Sequence, residues 1–257
     1  MFRDKIIAVV VFYLLIAVRI TGFVAVSPFP GAYAPRHAKV GLVMTLSFFA
    51  TAMAEDPVAP LTLDLGLGRL VVSEVALGLL MGFIVRIAFA AAETAGDVTS
   101  HALGLSSASL FDPSTGAQET VISRVFALLG TLVFLASGAH RAVLGYVVDS
   151  FVALPVGTTT HVTASLPVVL DLFLEATSAG LRLAMPMLGV SLAVQAVLAF
   201  TARIAPSLQI FNVGFAILIA AGLLTLAATL PDLTTLLSEF TLRIPRGIER
   251  VLDATAE

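Results

Sequence analysis

The sequence predicts an all-α integral membrane protein, and three observations lead to that fold class. Hydrophobic residues make up 58% of the chain and charged residues only 12%, whereas soluble domains carry about 25% charged residues. The mean hydropathy is +1.03, and a soluble chain this apolar would expose large hydrophobic patches and aggregate. The apolar residues are also gathered into long stretches that suit membrane-spanning helices. We therefore expect a single membrane domain over residues 1–257, built from about six long hydrophobic helices.

Six apolar stretches predict these helices, because a bilayer core needs roughly 20 helical residues. Turn-forming residues separate the stretches from one another. The first stretch follows two basic residues and resembles a secretory signal. Arg19 interrupts it, and Pro35 directly follows the candidate cleavage site, so an uncleaved first helix is expected. The stretches cover residues 6–26, 38–54, 65–92, 121–148, 166–201 and 208–230.

The end of the chain differs from the apolar part in two ways. The fifth stretch is longer than a span requires and contains Pro186, and a proline inside a helix removes a backbone hydrogen bond and kinks or breaks it. A kinked helix, a broken helix or a hairpin is therefore expected there. Residues 242–257 form a polar tail in which Arg243, Arg246 and Arg250 recur at helical spacing.

Charged residues also occur within the apolar stretches or near their ends. A charge at the bilayer centre costs about 2.5 to 3.5 kcal/mol on insertion scales, so such residues normally face protein or water. Structural pairing, or snorkelling at helix ends, is the preferred interpretation; an ion or proton path stays open. Lysines and arginines are too evenly distributed to predict the membrane orientation. The charged residues are Arg19, Arg69, Glu74, Arg86, Arg124, Asp171, Glu175 and Arg182.

Two further features concern helix packing and chemistry. Glu74, Gly78 and Gly82 share one helix face, and glycines four residues apart allow two helix backbones to approach closely. The chain has no cysteine, its four histidines are scattered, and it contains no nucleotide-binding or hydrolase motif. We therefore expect no catalytic residues, no metal site, no cofactor and no enzymatic activity. A net charge of −3 also makes nucleic acid an unsuitable partner.

One segment, GLSSASLFDPSTGAQ at residues 104–118, contrasts with its apolar surroundings. It is rich in small and hydroxylated residues and contains no lysine or arginine. Asp112 and Pro113 favour a turn, and Leu110 and Phe111 form an adjacent pair of bulky apolar residues. The sequence predicts a soft loop here, and an ordinary surface loop packed on neighbouring helices is one interpretation of it.

Several segments, taken in order, resemble the FliR/SctT family of type III secretion export gates. They are SPFPG at 27–31, the Glu74 motif, residues 95–118, GAHRAVLGYVVDSFVALPVG at 138–157 and ARIAPSLQIFNVGFAI at 202–217. The resemblance covers nearly the whole chain. The residues before Asp112 are more similar to the flagellar members than to those of virulence injectisomes.

The resemblance implies a pore-forming subunit, without catalysis, of the flagellar export gate. Its implied partners are FliP-like, FliQ-like and FlhB-like subunits in a helical complex, together with membrane lipid. The implied cargo is unfolded flagellar protein, and the implied location is the bacterial inner membrane at the flagellar basal body. A subunit of a virulence injectisome and a small-solute secondary transporter remain as alternatives, although a transporter should show internal repeats.

The resemblance also implies that the 104–118 loop projects into the pore and helps to plug it. Leu110 and Phe111 suit an apolar stopper, because hydrophobic constrictions close channels by excluding water. The glycines and serines would keep the loop soft enough to yield to a passing polypeptide. The implied plug residues are Gly104, Leu105, Ser106, Leu110, Phe111, Asp112, Pro113 and Gly116.

Overall fold

The computed structural model describes residues 2–28, 35–53, 65–105, 120–157, 162–204 and 210–256. These residues are almost wholly helical, with no strand among them, which confirms the predicted all-α class. A short 3-10 helix, Val162–Ser165, precedes α6. The α-helices of the described residues are α1 Phe2–Val26, α2 Arg36–Met53, α3 Leu65–Ala102, α4 Val121–Ala136, α5 Ala139–Ala153, α6 Leu166–Ile204, α7 Ile210–Thr241 and α8 Ile244–Ala256.

The described helices include four that are long and apolar enough to cross a membrane. The number rises to five if α4 and α5 are counted as one broken span. α6 is 39 residues long and α7 is 32, so each exceeds the roughly 20 residues that a span requires. The chain is therefore an integral membrane protein of several helices.

Two prolines leave their helices unbroken, whereas one glycine divides a predicted apolar stretch into two helices. α6 runs unbroken through Pro186, so the broken-helix and hairpin alternatives do not apply to that stretch. α7 likewise continues through Pro231. The break falls instead inside the 121–148 stretch, where Gly138 adopts a φ of 73° between α4 and α5. Glycine enters this left-handed conformation without the steric penalty that other residues incur.

The described residues form two compact units. The first unit comprises residues within 1–88, 137–174 and 242–257. In it, α1 packs on α2, α2 contacts α5, and α5 contacts α8. Buried α1 positions recur at helical spacing, which places one face of this helix in the core; they include Leu15, Ile16, Arg19, Ile20 and Phe23.

The polar tail belongs to the first unit and forms the amphipathic helix α8. Its apolar face is buried, with Ile244, Ile248 and Val251 at spacings of four and three residues. Its arginines Arg246 and Arg250 are exposed. The packing of this apolar stripe on α5 explains why a tail of low hydropathy is helical.

The second unit comprises residues within 89–136 and 175–241. It contains the end of α3, all of α4, most of α6 and α7. Phe89 and Phe134 meet edge to face with ring centroids 5.2 Å apart, and Gly180 of α6 lies close to the Ala91 backbone of α3. The core of this unit is formed by Ala92, Ala95, Ile122, Phe126, Leu183, Met187, Leu233 and Leu237.

Candidate functional site

Arg19 is the centre of a fully buried polar site in the first unit. Its side chain has 0% exposure, although it lies on an otherwise apolar helix. Its Nε donates to Glu74 Oε2 of α3 at 2.6 Å, and Glu74 is 2% exposed. The ion pair therefore joins α1 to α3 across a region that contains no bulk water.

The rest of the Arg19 guanidinium binds the carboxyl end of α5. Nη1 donates to the carbonyl and hydroxyl oxygens of Ser150 at 3.0 and 3.2 Å, and Nη2 donates to Leu154 O at 3.0 Å. The Phe151 ring lies 4.3 Å from Arg19 Cζ, within cation–π range. A cation at a helix carboxyl end also interacts favourably with the helix dipole. Arg19 thus ties together three helices.

The chemistry of this site is that of a structural tie. Hydrogen bonds to four oxygens and a stacked ring compensate for the desolvation of the guanidinium, as a buried charge requires. Three of the residues that Arg19 contacts, Ser150, Phe151 and Leu154, belong to the DSFVALPVG segment. This segment is one of those that carry the family resemblance.

The contact between α1 and α3 beside this ion pair depends on glycine. A Cβ added to Gly78 would overlap the Arg19 carbonyl oxygen, and one added to Gly82 would lie 2.6 Å from Phe23 O. A Cβ on Gly22 of α1 would lie 2.9 Å from Val75 O. The two backbones therefore touch over about two turns, which no larger residue at these positions would allow without displacement.

A second polar cluster lies in the second unit, where α3 approaches the first turn of α4. Ser123 donates to Asp97 Oδ1 at 2.7 Å, and its hydroxyl also lies 2.8 Å from Thr120 Oγ1. Ser100 contacts the hydroxyls of both Thr120 and Ser123. A Cβ on Gly96 would lie 2.6 Å from Ser123 Cα. The hydroxyl network and this close backbone approach hold the last turns of α3 against the first turn of α4.

The end of α3 is also fixed to α6 and α7. Gln195 Nε2 of α6 donates to Ala102 O at 3.2 Å. The side chain of Leu103 is 1% exposed and fills the space above Gly222 of α7. Gly104, two residues beyond the end of α3, has a φ of 72°.

Of the predicted plug residues, the structure describes two. Gly104 and Leu105 lie at the end of α3, and Leu105 packs against the core of the second unit. The remaining plug residues, Ser106, Leu110, Phe111, Asp112, Pro113 and Gly116, lie outside the described residues. Of the predicted packing residues, Glu74, Gly78 and Gly82 come together against α1, while Pro186 lies within α6.

Sequence reasoning missed three side chains that complete the Arg19 site, the hydroxyl cluster and the contact between α3 and α6. Ser150, Ser123 and Gln195 are ordinary polar residues within apolar helices, and no motif marks them as a set. Within the described part of the chain, no three His, Asp or Glu residues are grouped as metal ligands would be.

The class of protein follows from the family that the sequence matches. Residues 10–244 match the family described as bacterial export proteins, family 1. The chain therefore belongs to this family. Flagellar biosynthetic protein FliR of Escherichia coli K12 is 31% identical over 77% of this chain and 75% of that protein.

Other relatives carry the same name and cover similar shares. FliR of Aquifex aeolicus VF5 is 30% identical over 86% of this chain and 85% of its own length. FliR of Pectobacterium carotovorum is 29% identical over 83% and 82%, respectively. The resemblance to the FliR/SctT family is thereby confirmed. With its membrane-length helices, the chain is a multi-pass protein of the bacterial inner membrane at the flagellar base, in the type III export apparatus.

Proposed function

We propose that this chain is a pore-forming subunit of the flagellar type III export gate and acts without catalysis. It passes unfolded flagellar proteins across the inner membrane in a complex with FliP-like, FliQ-like and FlhB-like subunits. The similarity to flagellar FliR proteins over most of the chain carries this proposal. All three are named as flagellar biosynthetic proteins, which favours the flagellar system over a virulence injectisome.

The exposed apolar surface of the second unit supports a role within a larger membrane complex. Large hydrophobic side chains along α6 and α7 are more than half exposed within the chain, for example Phe200 at 68% and Leu224 at 72%. A surface of this extent needs lipid or neighbouring subunits to cover it. An export gate provides both.

In this function, the 104–118 segment helps to close the channel. α3 and α4 are held together by the hydroxyl cluster at Ser100, Thr120 and Ser123, so the described residues on either side of the segment lie close together. Its apolar pair, Leu110 and Phe111, can exclude water from a constriction. Its small residues give a backbone that can yield without strong pairs being broken.

The closing role is tested by permeability. We expect Phe111→Asp or Gly116→Asp, in a normally assembled gate, to make the membrane leaky to small ions, because a charge hydrates the constriction. Phe111→Leu keeps the apolar character and is the matched control, with permeability expected to stay at the parental level. Unchanged ion flux in both Asp variants, with the complex intact, would contradict the closing role.

A further inference from the structure

A small apolar groove lies on the surface of the second unit, between α6 and α7. Its volume is about 240 Å³, and only apolar side chains line it. Val197 and Ile217 are 63% and 45% exposed, so the groove is open to the outside of the chain. Beside it the two helices are held close together, because Gly214 of α7 packs directly on Leu198. The lining residues are Ala193, Val194, Val197, Leu198 and Ile217.

The groove lies within the part of the helix pair that suits the membrane interior. Residues 183–202 of α6 and 210–231 of α7 carry no charged side chain. The α6 part measures about 30 Å, which matches the hydrocarbon thickness of a bilayer, also about 30 Å. Arg203 bounds this part at one end, and Val197 lies about 9 Å along the helix from Arg203. An occupant of the groove is therefore surrounded by apolar groups at the depth of lipid acyl chains.

The size of the groove limits what it can hold. An α-helix with its side chains is about 10 to 12 Å across, so a groove of about 240 Å³ does not admit one. A single narrow, flexible chain does fit, and an acyl chain has this shape and is apolar along its whole length. Ala193 has the smallest side chain of the lining residues, and a large side chain at this position would fill the groove.

The two ends of the uncharged part differ in charge. Leu183 and Leu233 belong to one core cluster, so their chain neighbours Arg182 of α6 and Asp232 of α7 lie at the same end of the helix pair. Their opposite charges offset each other. This end therefore attracts neither sign of charge strongly.

The end nearer to the groove is positive. Arg203 is exposed in the last turn of α6, and no carboxylate occurs in residues 176–204 or 210–231. An arginine near a helix end extends its guanidinium to the level of the lipid headgroups, where it can bind a phosphate through two parallel hydrogen bonds. A phosphate held at Arg203 would place its acyl chain above the groove, so that the chain runs down into it.

We propose that a phospholipid binds at this site, with one acyl chain in the groove against Ala193, Val197 and Ile217 and its phosphate at Arg203. An anionic headgroup adds to the attraction, so phosphatidylglycerol binds more tightly than zwitterionic phosphatidylethanolamine. The proposal goes beyond the export function, because it concerns how the second unit is seated in the bilayer. It does not depend on the closing role of the 104–118 segment.

Photochemical cross-linking tests the site in the purified export complex. The probe is a phosphatidylglycerol with a photoreactive diazirine in one acyl chain, added at low concentration to the complex in mild detergent. Mass spectrometry then measures the fraction of this chain that carries the lipid on the lining residues of the groove. We expect the parental chain to be labelled there, and unlabelled phosphatidylglycerol to compete more strongly than unlabelled phosphatidylethanolamine.

Two variants remove the two halves of the site. Arg203→Gln should lower the labelling about fivefold, the effect expected of one arginine near a lipid surface. Ala193→Phe should abolish it, because the ring occupies the groove. The matched controls are Arg182→Gln, at the other exposed arginine that bounds the uncharged part, and Ala199→Phe, at an exposed alanine of α6 that does not line the groove. Both controls should be labelled at the parental level.

Other outcomes would overturn the proposal. Equal labelling of the parental chain and all four variants would indicate boundary lipid only, without a specific site. An unlabelled groove in the parental chain, together with loss of a subunit from the Ala193→Phe complex in native mass spectrometry, would show that a side chain of a neighbouring subunit fills it. If Ala193→Phe does not assemble, Arg203→Gln and Arg182→Gln decide, and equal labelling of these two would reject the site.

Discussion

At the residue scale, Arg19 illustrates how a charge is accommodated inside a membrane protein. Its guanidinium reaches a carboxylate on α3, two carbonyls and a hydroxyl at the end of α5, and an aromatic face. A buried ion pair of this kind adds little net stability compared with apolar residues of the same shape, but removing one partner leaves the other charge stranded. Its contribution is therefore specificity in how three helices meet.

Arg19→Met should destabilise the protein by about 3 to 5 kcal/mol, because Glu74 is left buried without its cation. The double variant Arg19→Met, Glu74→Leu should recover much of that loss. Arg69→Met is the control, since Arg69 lies one turn from Glu74 on α3 but is exposed. Thermal unfolding of the detergent-solubilised complex gives the comparison, and equal midpoints for Arg19→Met and Arg69→Met would contradict the tie.

The sequence marked Arg19 and Glu74 as charges in apolar helices but could not pair them. They are 55 positions apart, and nothing local distinguishes Glu74 from other carboxylates as the partner. Ser150 could not be predicted as a partner of Arg19 either, because one of its two acceptors is a backbone carbonyl, which every residue possesses. Long-range geometry of this type emerges only once the helices are packed.

At the element scale, glycine decides how closely α1 and α3 approach. The ExxxGxxxG spacing places Gly78 and Gly82 on one face, and the α1 backbone lies directly against both. By contrast, Gly68 on the same helix has no atom within 4 Å of an added Cβ. Glycines on the same helix thus have opposite roles, which spacing alone indicates only in part.

Gly78→Ala should cost about 1 to 3 kcal/mol, because the new methyl group pushes into the Arg19 carbonyl and displaces α1. Gly68→Ala should be neutral or stabilising by up to about 1 kcal/mol, since alanine favours helix and meets no neighbour there. The unfolding midpoints of the two variants, measured side by side, test this difference. A Gly78→Ala protein as stable as Gly68→Ala would show that the helices do not touch there.

The hydropathy of the sequence predicts where the helices lie but not the residues at which they end. The apolar part of the third stretch covers 65–92, whereas α3 continues to Ala102. The added turns contain Asp97 and Ser100, whose polar groups lower the hydropathy without interrupting the helix and bond to α4 instead. The position of Gly138 similarly escapes a hydropathy scale, because its effect is conformational.

At the scale of the whole molecule, the chain exposes extensive apolar surface. Exposed large hydrophobic residues occur in both units, for example Phe48 in α2 and Phe200 in α6. The composition predicted a membrane protein on this basis, but composition cannot distinguish contact with lipid from contact with sister subunits. The family relationship implies a type III export complex, and contact with sister subunits is part of the proposed function.

Apolar surface of this extent requires lipid or neighbouring subunits to cover it. When the membrane is extracted with mild detergent, we expect native mass spectrometry to find the chain in a large hetero-oligomer with FliP-like and FliQ-like subunits. Phe200→Lys should reduce that recovery severely, because a lysine at this 68% exposed position would meet lipid or an apolar partner face. Phe200→Leu preserves the apolar contact and should assemble at the parental level. A stable, lone monomer of the parental chain would contradict the assembled state, and undiminished assembly of Phe200→Lys would show that Phe200 is not covered by lipid or an apolar partner face.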